Sequence, residues 1–167
     1  EGVLDVDFPA PSAEHRAAAQ RRQDELTKPP GSLGALETLA IRVAAWQRAR
    51  APAGRPAAAL LFAADHPVAG RGVSAYPSEV TRAMVANFAA GGAAAAVLAR
   101  RLEVPLTVVD VGVNGEPAPS GPGAAVVRAP RGGEVGDLVE TDAMSQSGLE
   151  AALAAGRAAV DALPPEV

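Results

Sequence analysis

The stretch "FAADHPVAGRGVSAYPSEVT", residues 62–81, gathers much of the reactive chemistry of a chain otherwise rich in alanine. An apolar run ends in Asp65-His66, a glycine-punctuated loop follows, and Ser74 and the single tyrosine, Tyr76, lead into Pro77 and a helical pattern. A second apolar run, "VPLTVVDVGV" at 104–113, carries Asp110 near its end. Two carboxylates and an imidazole could hold a divalent ion or order the loops around a ligand. No second histidine stands at ligand spacing from His66, and His15 belongs to a charged helix, so the metal pattern is thin. Ser74 lacks the Gly-x-Ser-x-Gly elbow of a strained nucleophile. "GRG", "AAGGAA" and "APRGGEVG" fit neither glycine-rich phosphate loop. Tyr76, Met84 and Phe88 could line an apolar slot with Ser74 on its rim, although such a stripe also suits a core. Asp65 and Asp110 read equally well as loop caps.

These residues need a scaffold, and the pattern supplies one. After a proline-containing lead-in at 1–11, "SAEHRAAAQRRQDEL" predicts a helix over 12–26 with Ser12 as N-cap. Two prolines end it. A second helix is expected over 33–50, with Leu36, Leu39, Val43 and Trp46 on one stripe. From residue 57 the character changes. "AAALLFAAD" reads as a strand buried on both faces, followed by helices near 78–89, with Val80, Met84 and Phe88 in register, and 92–102, separated by Gly91-Gly92. Residues 104–113 and 124–128 read as two more strands, and 147–163 as a last helix with a Ser147–Glu150 capping box. Strands alternating with helices predict an α/β fold with a mainly parallel sheet. If the first two strands are neighbours, Asp65, His66 and Asp110 share the crevice beyond their carboxyl ends.

Composition narrows the classes. The chain has 167 residues, 49% hydrophobic but only 3% aromatic, so small-residue packing is expected rather than a core of rings. A net charge of −4 gives no electrostatic footprint for nucleic acid or an acidic membrane surface. With no cysteine, disulfides and thiolate metal sites are excluded. No apolar run is read as approaching the ~20 residues of a membrane span, and the first residues lack the hydrophobic core of a secretory signal. The chain does not begin with methionine and is read as a piece of a longer polypeptide.

Three blocks, "LTKPPGSLGALETLA" (26–40), residues 62–100 and "VVDVGV" (108–113), resemble nicotinate-nucleotide:dimethylbenzimidazole phosphoribosyltransferase; "DAMSQSGLEAALAAG" (142–156) looks like a more diverged continuation. The resemblance covers only the first half of that family's length. It implies a partial Rossmann-like, mainly parallel sheet with flanking helices at 53–167, preceded at 1–52 by two helices of a small helical domain. It also implies a cytoplasmic homodimer that works without a metal or other cofactor and binds neither nucleic acid nor membrane. The implied reaction moves phosphoribosyl from nicotinate mononucleotide to 5,6-dimethylbenzimidazole for cobalamin lower-ligand synthesis, with a glutamate as general base. By motif, Ser74, Tyr76, Arg82 and Met84 are expected near the benzimidazole, while Asp65, His66 and Asp110 order strand-end loops. No glutamate here matches the catalytic base, so no catalytic residue is assigned and the chain alone is expected to be inactive. The alternative is a non-catalytic half-domain for heteroaromatic binding or assembly. The chain departs from the family's pattern at Pro67, at Arg82 and in "PRGGEVGDL".

Overall fold

A computed structural model of the chain describes residues 9–165; most of the lead-in and the last two residues lie outside them. The chain divides into two compact units, Glu1–Arg55 and Pro56–Val167, each treated by itself.

The first unit is a pair of helices, α1 (Ala13–Glu25) and α2 (Ala35–Gln47). The Ser12 hydroxyl accepts from the His15 amide and so takes up one of the free donors of the first turn. The Ser12 amide in turn donates to the Ala45 carbonyl at 3.0 Å, tying the start of α1 to α2. Between the helices, Lys28 Nζ meets Glu37 Oε1 at 2.7 Å, and the Leu33 amide donates to the same oxygen. Together they hold the Glu37 carboxyl below its ordinary range, the Lys28 bond being the larger cause. The buried residues are Ala19, Ala44 and Ala45. The stripe seen in sequence is not the buried seam: Leu36, Leu39 and Trp46 are each more than half exposed.

The second unit is built on three parallel strands, β1 (Ala59–Ala64), β2 (Leu106–Gly112) and β3 (Ala125–Arg128), in the order β1-β2-β3. The register sets Leu61 beside Val108 and Val108 beside Val126. Alternation along the strands makes these one face. That face packs with Val85, Ala96, Ala99, Leu106, Val113 and Ala124 in the core under α3 (Glu79–Ala90) and α4 (Ala94–Arg101). On the other face lies α5 (Gln146–Asp161), packed on β2. An alanine-lined groove of about 640 Å³ remains between that helix and Leu60, Thr107, Val109, Ala125 and Val127.

Four expectations change in detail. β1 is an edge strand, and Phe62 on its second face is 48% exposed, so it is not buried on both sides. Helix α3 buries Val85 and Ala89 rather than the Val80–Met84–Phe88 row, leaving Met84 40% exposed. The cap of α5 is Ser145, whose hydroxyl accepts from the Gly148 amide, while the Ser147 hydroxyl donates to the Gly132 carbonyl. Finally, Glu79–Arg101 contains an 18-residue window of mean hydropathy 1.4, long and apolar enough to reach membrane-span length. The sequence is nevertheless broken in the middle. Gly91 takes φ +85°, and its amide closes the end of α3.

The β2–β3 connection carries no helix, unlike most parallel crossovers. Its loop is seated on the end of α3: the Gly123 amide donates to the Ala89 carbonyl, and a Cβ on Gly123 would strike the backbone of Gly91 and Phe88. Only glycine fits that approach.

Candidate functional site

The carboxyl ends of β1 and β2 are adjacent, and their two acids are both buried, Asp65 at 8% and Asp110 at 2% exposure. A bulge between Ala63 and Ala64 brings Ala63 opposite Asp110 and Ala64 opposite Gly112. Asp65 holds the far strand twice: its amide donates to the Gly112 carbonyl, and its Oδ2 accepts from the Asn114 amide at 2.8 Å. Asp110 Oδ1 accepts from the Gly112 and Val113 amides at 3.0 and 2.7 Å. Its other oxygen faces Arg128 Nε at 3.3 Å. Arg128 stands in register beside Asp110 and also donates through Nη2 to the carbonyls of Val113 and Gly115. Two carboxylates and one guanidinium thus satisfy the backbone of a single turn, 112–115, at the mouth of the sheet. Buried charge persists when it is paired and hydrogen-bonded in this way.

That turn parts two clefts. One, of about 500 Å³, is lined by Asp65, Ser78, Glu79, Arg82, Ala83, Ala86, Asn114 and Gly115. The other, of about 510 Å³, lies against Val113, Asn114, Gly115, Arg128 and Arg131. Arg82 reaches the turn itself, since a Cβ on Gly115 would stand 3.2 Å from its Nη1. Among the described residues, no three His, Asp or Glu side chains gather as metal ligands.

The sequence-predicted residues therefore divide. Asp65 and Arg82 share a cleft, with Asp110 buttressing its floor. His66 is exposed beside the 3-10 turn Pro67–Arg71, where its carbonyl accepts from the Ala69 amide. Ser74 and Tyr76 lie on the exposed loop that follows, with the Ser74 hydroxyl accepting from the Tyr76 amide at 3.2 Å. The slot expected from Tyr76, Met84 and Phe88 is not formed within these described residues. Phe88 turns toward the core, while Tyr76 is 69% exposed and Met84 faces outward. Sequence reading missed Arg128, Asn114, Ser78 and Glu79 as cleft or turn residues. For Arg128 a signal existed: "AAVVR" ends on a cation as "VVDVG" passes through an acid, and parallel register places them side by side.

The loop carrying Ser74 is tied at its base. Arg71, the last residue of the 3-10 turn, sends Nε to Asp137 and Nη2 to Glu140. The Glu140 and Asp137 hydrogen bonds raise the Arg71 pKa above its ordinary value. The Asp137 carboxyl is lowered, first by the Val139 amide it accepts from and then by Arg71.

An open parallel sheet with acids at its strand ends and clefts just beyond them is the ligand-binding arrangement of doubly wound α/β proteins. Within that class the chain belongs to the phosphoribosyltransferase family whose model matches residues 8–166. Among curated relatives, the nicotinate-nucleotide–dimethylbenzimidazole phosphoribosyltransferase of Xanthomonas oryzae pv. oryzae is 51% identical over 146 residues, 87% of this chain and 41% of the relative. The protein of the same name from Chromobacterium violaceum is 53% identical over 144 residues, 86% of this chain and 41% of its own. A crystal structure of CobT from Thermus thermophilus superposes with a TM-score of 0.72 at 43% identity, covering 89% of this chain and 44% of that one. The chain thus spans less than half the length of the relatives it matches. The family expected from the 26–40, 62–100 and 108–113 blocks is the one found.

Proposed function

We propose that this chain forms part of an enzyme that transfers phosphoribosyl from nicotinate mononucleotide to 5,6-dimethylbenzimidazole, releasing nicotinate and giving α-ribazole 5′-phosphate for cobalamin synthesis. The observation that carries the reading is the match of residues 8–166 to the phosphoribosyltransferase family, with relatives of that name about half identical over most of the chain. The chemistry asks little of acid catalysis, because the ribosylated pyridinium nitrogen is already cationic and nicotinate leaves neutral at that atom. It asks for orientation of a flat bicyclic base, an effect worth several kcal/mol, and for removal of the base's N–H proton. In this reading Ser74, Tyr76, Arg82 and Met84 belong to the wall that receives the base, and Asp65, His66 and Asp110 order the strand-end turns behind it. The enzyme works in the cytoplasm as a homodimer, and the 167-residue chain by itself turns over little.

The test supplies nicotinate mononucleotide and dimethylbenzimidazole to the full-length protein and to this chain. Formation of α-ribazole phosphate by the former at an enzyme-like rate, and little by the latter, is expected. A full-length protein that forms none overturns the transferase reading; rapid turnover by the chain alone overturns the assignment of the base outside it.

A further inference from the structure

We infer that Arg71 is a positioning residue for the Ser74–Tyr76 loop, latching it through two ion pairs to the turn that carries Asp137 and Glu140. The inference rests on the reading above, in which that loop meets the heteroaromatic base.

The loop needs such a device. Residues 70–77 are exposed, and neither Gly70 nor Gly72 has another atom where a Cβ would look for contact. Gly72, at φ +78°, swings the chain away from the 3-10 turn. Among the described residues the remaining hydrogen bonds of 66–76 are local: Ala69 to His66, Gly72 to Ala69 and Tyr76 to Ser74. The bonds of Arg71 cross 66 and 69 positions of sequence. Among the described residues they are the hydrogen bonds that join this segment to a distant part of the unit.

The receiving turn is stiff. The Glu140 and Thr141 amides both donate to the Asp137 carbonyl at 2.8 Å, and the Val139 amide donates to Asp137 Oδ1 at 3.1 Å. The Gly136 amide closes on the Ala143 carbonyl at 2.9 Å, and a Cβ on Gly136 would strike Asp142 and Thr141. A bridge between Val135 and Met144 carries the turn toward the start of α5. Asp137 therefore presents one oxygen outward while its backbone and other oxygen are spent inside the turn. A guanidinium suits two carboxylates at different edges, since its donors leave Nε and Nη in a fixed fork; an ammonium has no such geometry. A lone exposed ion pair contributes little. This one joins two segments, and a loop already held near its bound geometry loses less freedom when a ligand orders it.

The test measures amide hydrogen exchange at the hydrogen-bonded Gly72 and Tyr76 amides of 72–77 and in 136–143, and titrates dimethylbenzimidazole into the full-length protein. Variants are R71A, R71K, the pair D137N/E140Q, and R71A combined with that pair. R71A is expected to speed exchange in both segments and to weaken dimethylbenzimidazole binding roughly two- to fivefold. R71K should restore neither, the acid pair should match R71A, and the combination should add nothing further. Raising salt should loosen the wild type and leave R71A unmoved. Unchanged exchange in 72–77 with R71A, full rescue by R71K, or additive losses in the combined variant would each overturn the latch. A wild type that fails to bind dimethylbenzimidazole overturns the base-wall reading instead, and the exchange coupling then decides the latch without it.

Discussion

The strand-end turn and the Ser74–Tyr76 loop, the two regions of the proposed site, are held in opposite ways. At the strand ends, Asp65, Asp110 and Arg128 are spent on the 112–115 turn, with buried oxygens on backbone amides at 2.7–3.0 Å. A short way along the chain from Asp65, the Ser74–Tyr76 loop stands in solvent and is tied to the rest of its unit by the Arg71 side chain. The first arrangement gives a fixed surface at the cost of several interdependent groups. The second gives a surface that can adapt, since exposed segments with few buried contacts are where local opening concentrates. In the proposed reading, a rigid wall and an adjustable wall together would hold a planar ring while admitting it.

Breaking the rigid side should have the largest effect. Asp110→Ala leaves the buried Gly112 and Val113 amides without an acceptor and Arg128 without its carboxylate, and about 3 kcal/mol of stability is expected to go; urea unfolding reads it. Gly123→Ala should follow at about 2 kcal/mol, because the new methyl meets the backbone of Gly91 rather than a side chain that could move, and the same unfolding curve measures it. Acid sharpens the contrast from the other side. Asp137 shares Arg71 with Glu140, and the Val139 amide first and then Arg71 hold its folded pKa below the ordinary 3.8. Its contribution is therefore complete above that value and is lost as pH falls through the lower, folded pKa. Protection of 136–143 against hydrogen exchange, taken relative to the intrinsic rate at each pH, should accordingly fall below about pH 4, while R71A shows a weaker change. The smallest effect on stability belongs to Ser74→Ala with Tyr76→Ala, within about 0.5 kcal/mol. The same pair should measurably weaken dimethylbenzimidazole binding by titration calorimetry, and unchanged binding would remove these two from the wall.

Much of the fold is legible in the amino-acid sequence. Strands and helices follow from short apolar runs, three- and four-residue spacing and the Gly91-Gly92 break, because those signals are local. The acids at the strand ends are also legible, since an apolar run that stops at an aspartate is a one-dimensional pattern. What local pattern cannot supply is which side of a segment is buried. Met84 and Val85 are neighbours of similar character, and only the seat of α3 on the sheet decides between them. The Ser147–Glu150 spacing matches a capping box, yet Ser145 is the cap, while Ser147 donates to the Gly132 carbonyl and Glu150 accepts from the Gln146 side chain. Arg71 with Asp137 and Glu140 lies beyond reach altogether: nothing in an arginine announces a partner 66 positions away.

The interior of both units has a thermal consequence. Among the described residues its buried side chains are mostly alanines and valines, and Val108 is the largest that is fully enclosed. Each such residue withdraws little hydrocarbon from water, and the heat capacity gained on unfolding scales with that area. Calorimetry should therefore give a value under the usual ~12–15 cal/mol/K per residue. The stability curve becomes shallow, losing little on warming over tens of degrees and little on cooling.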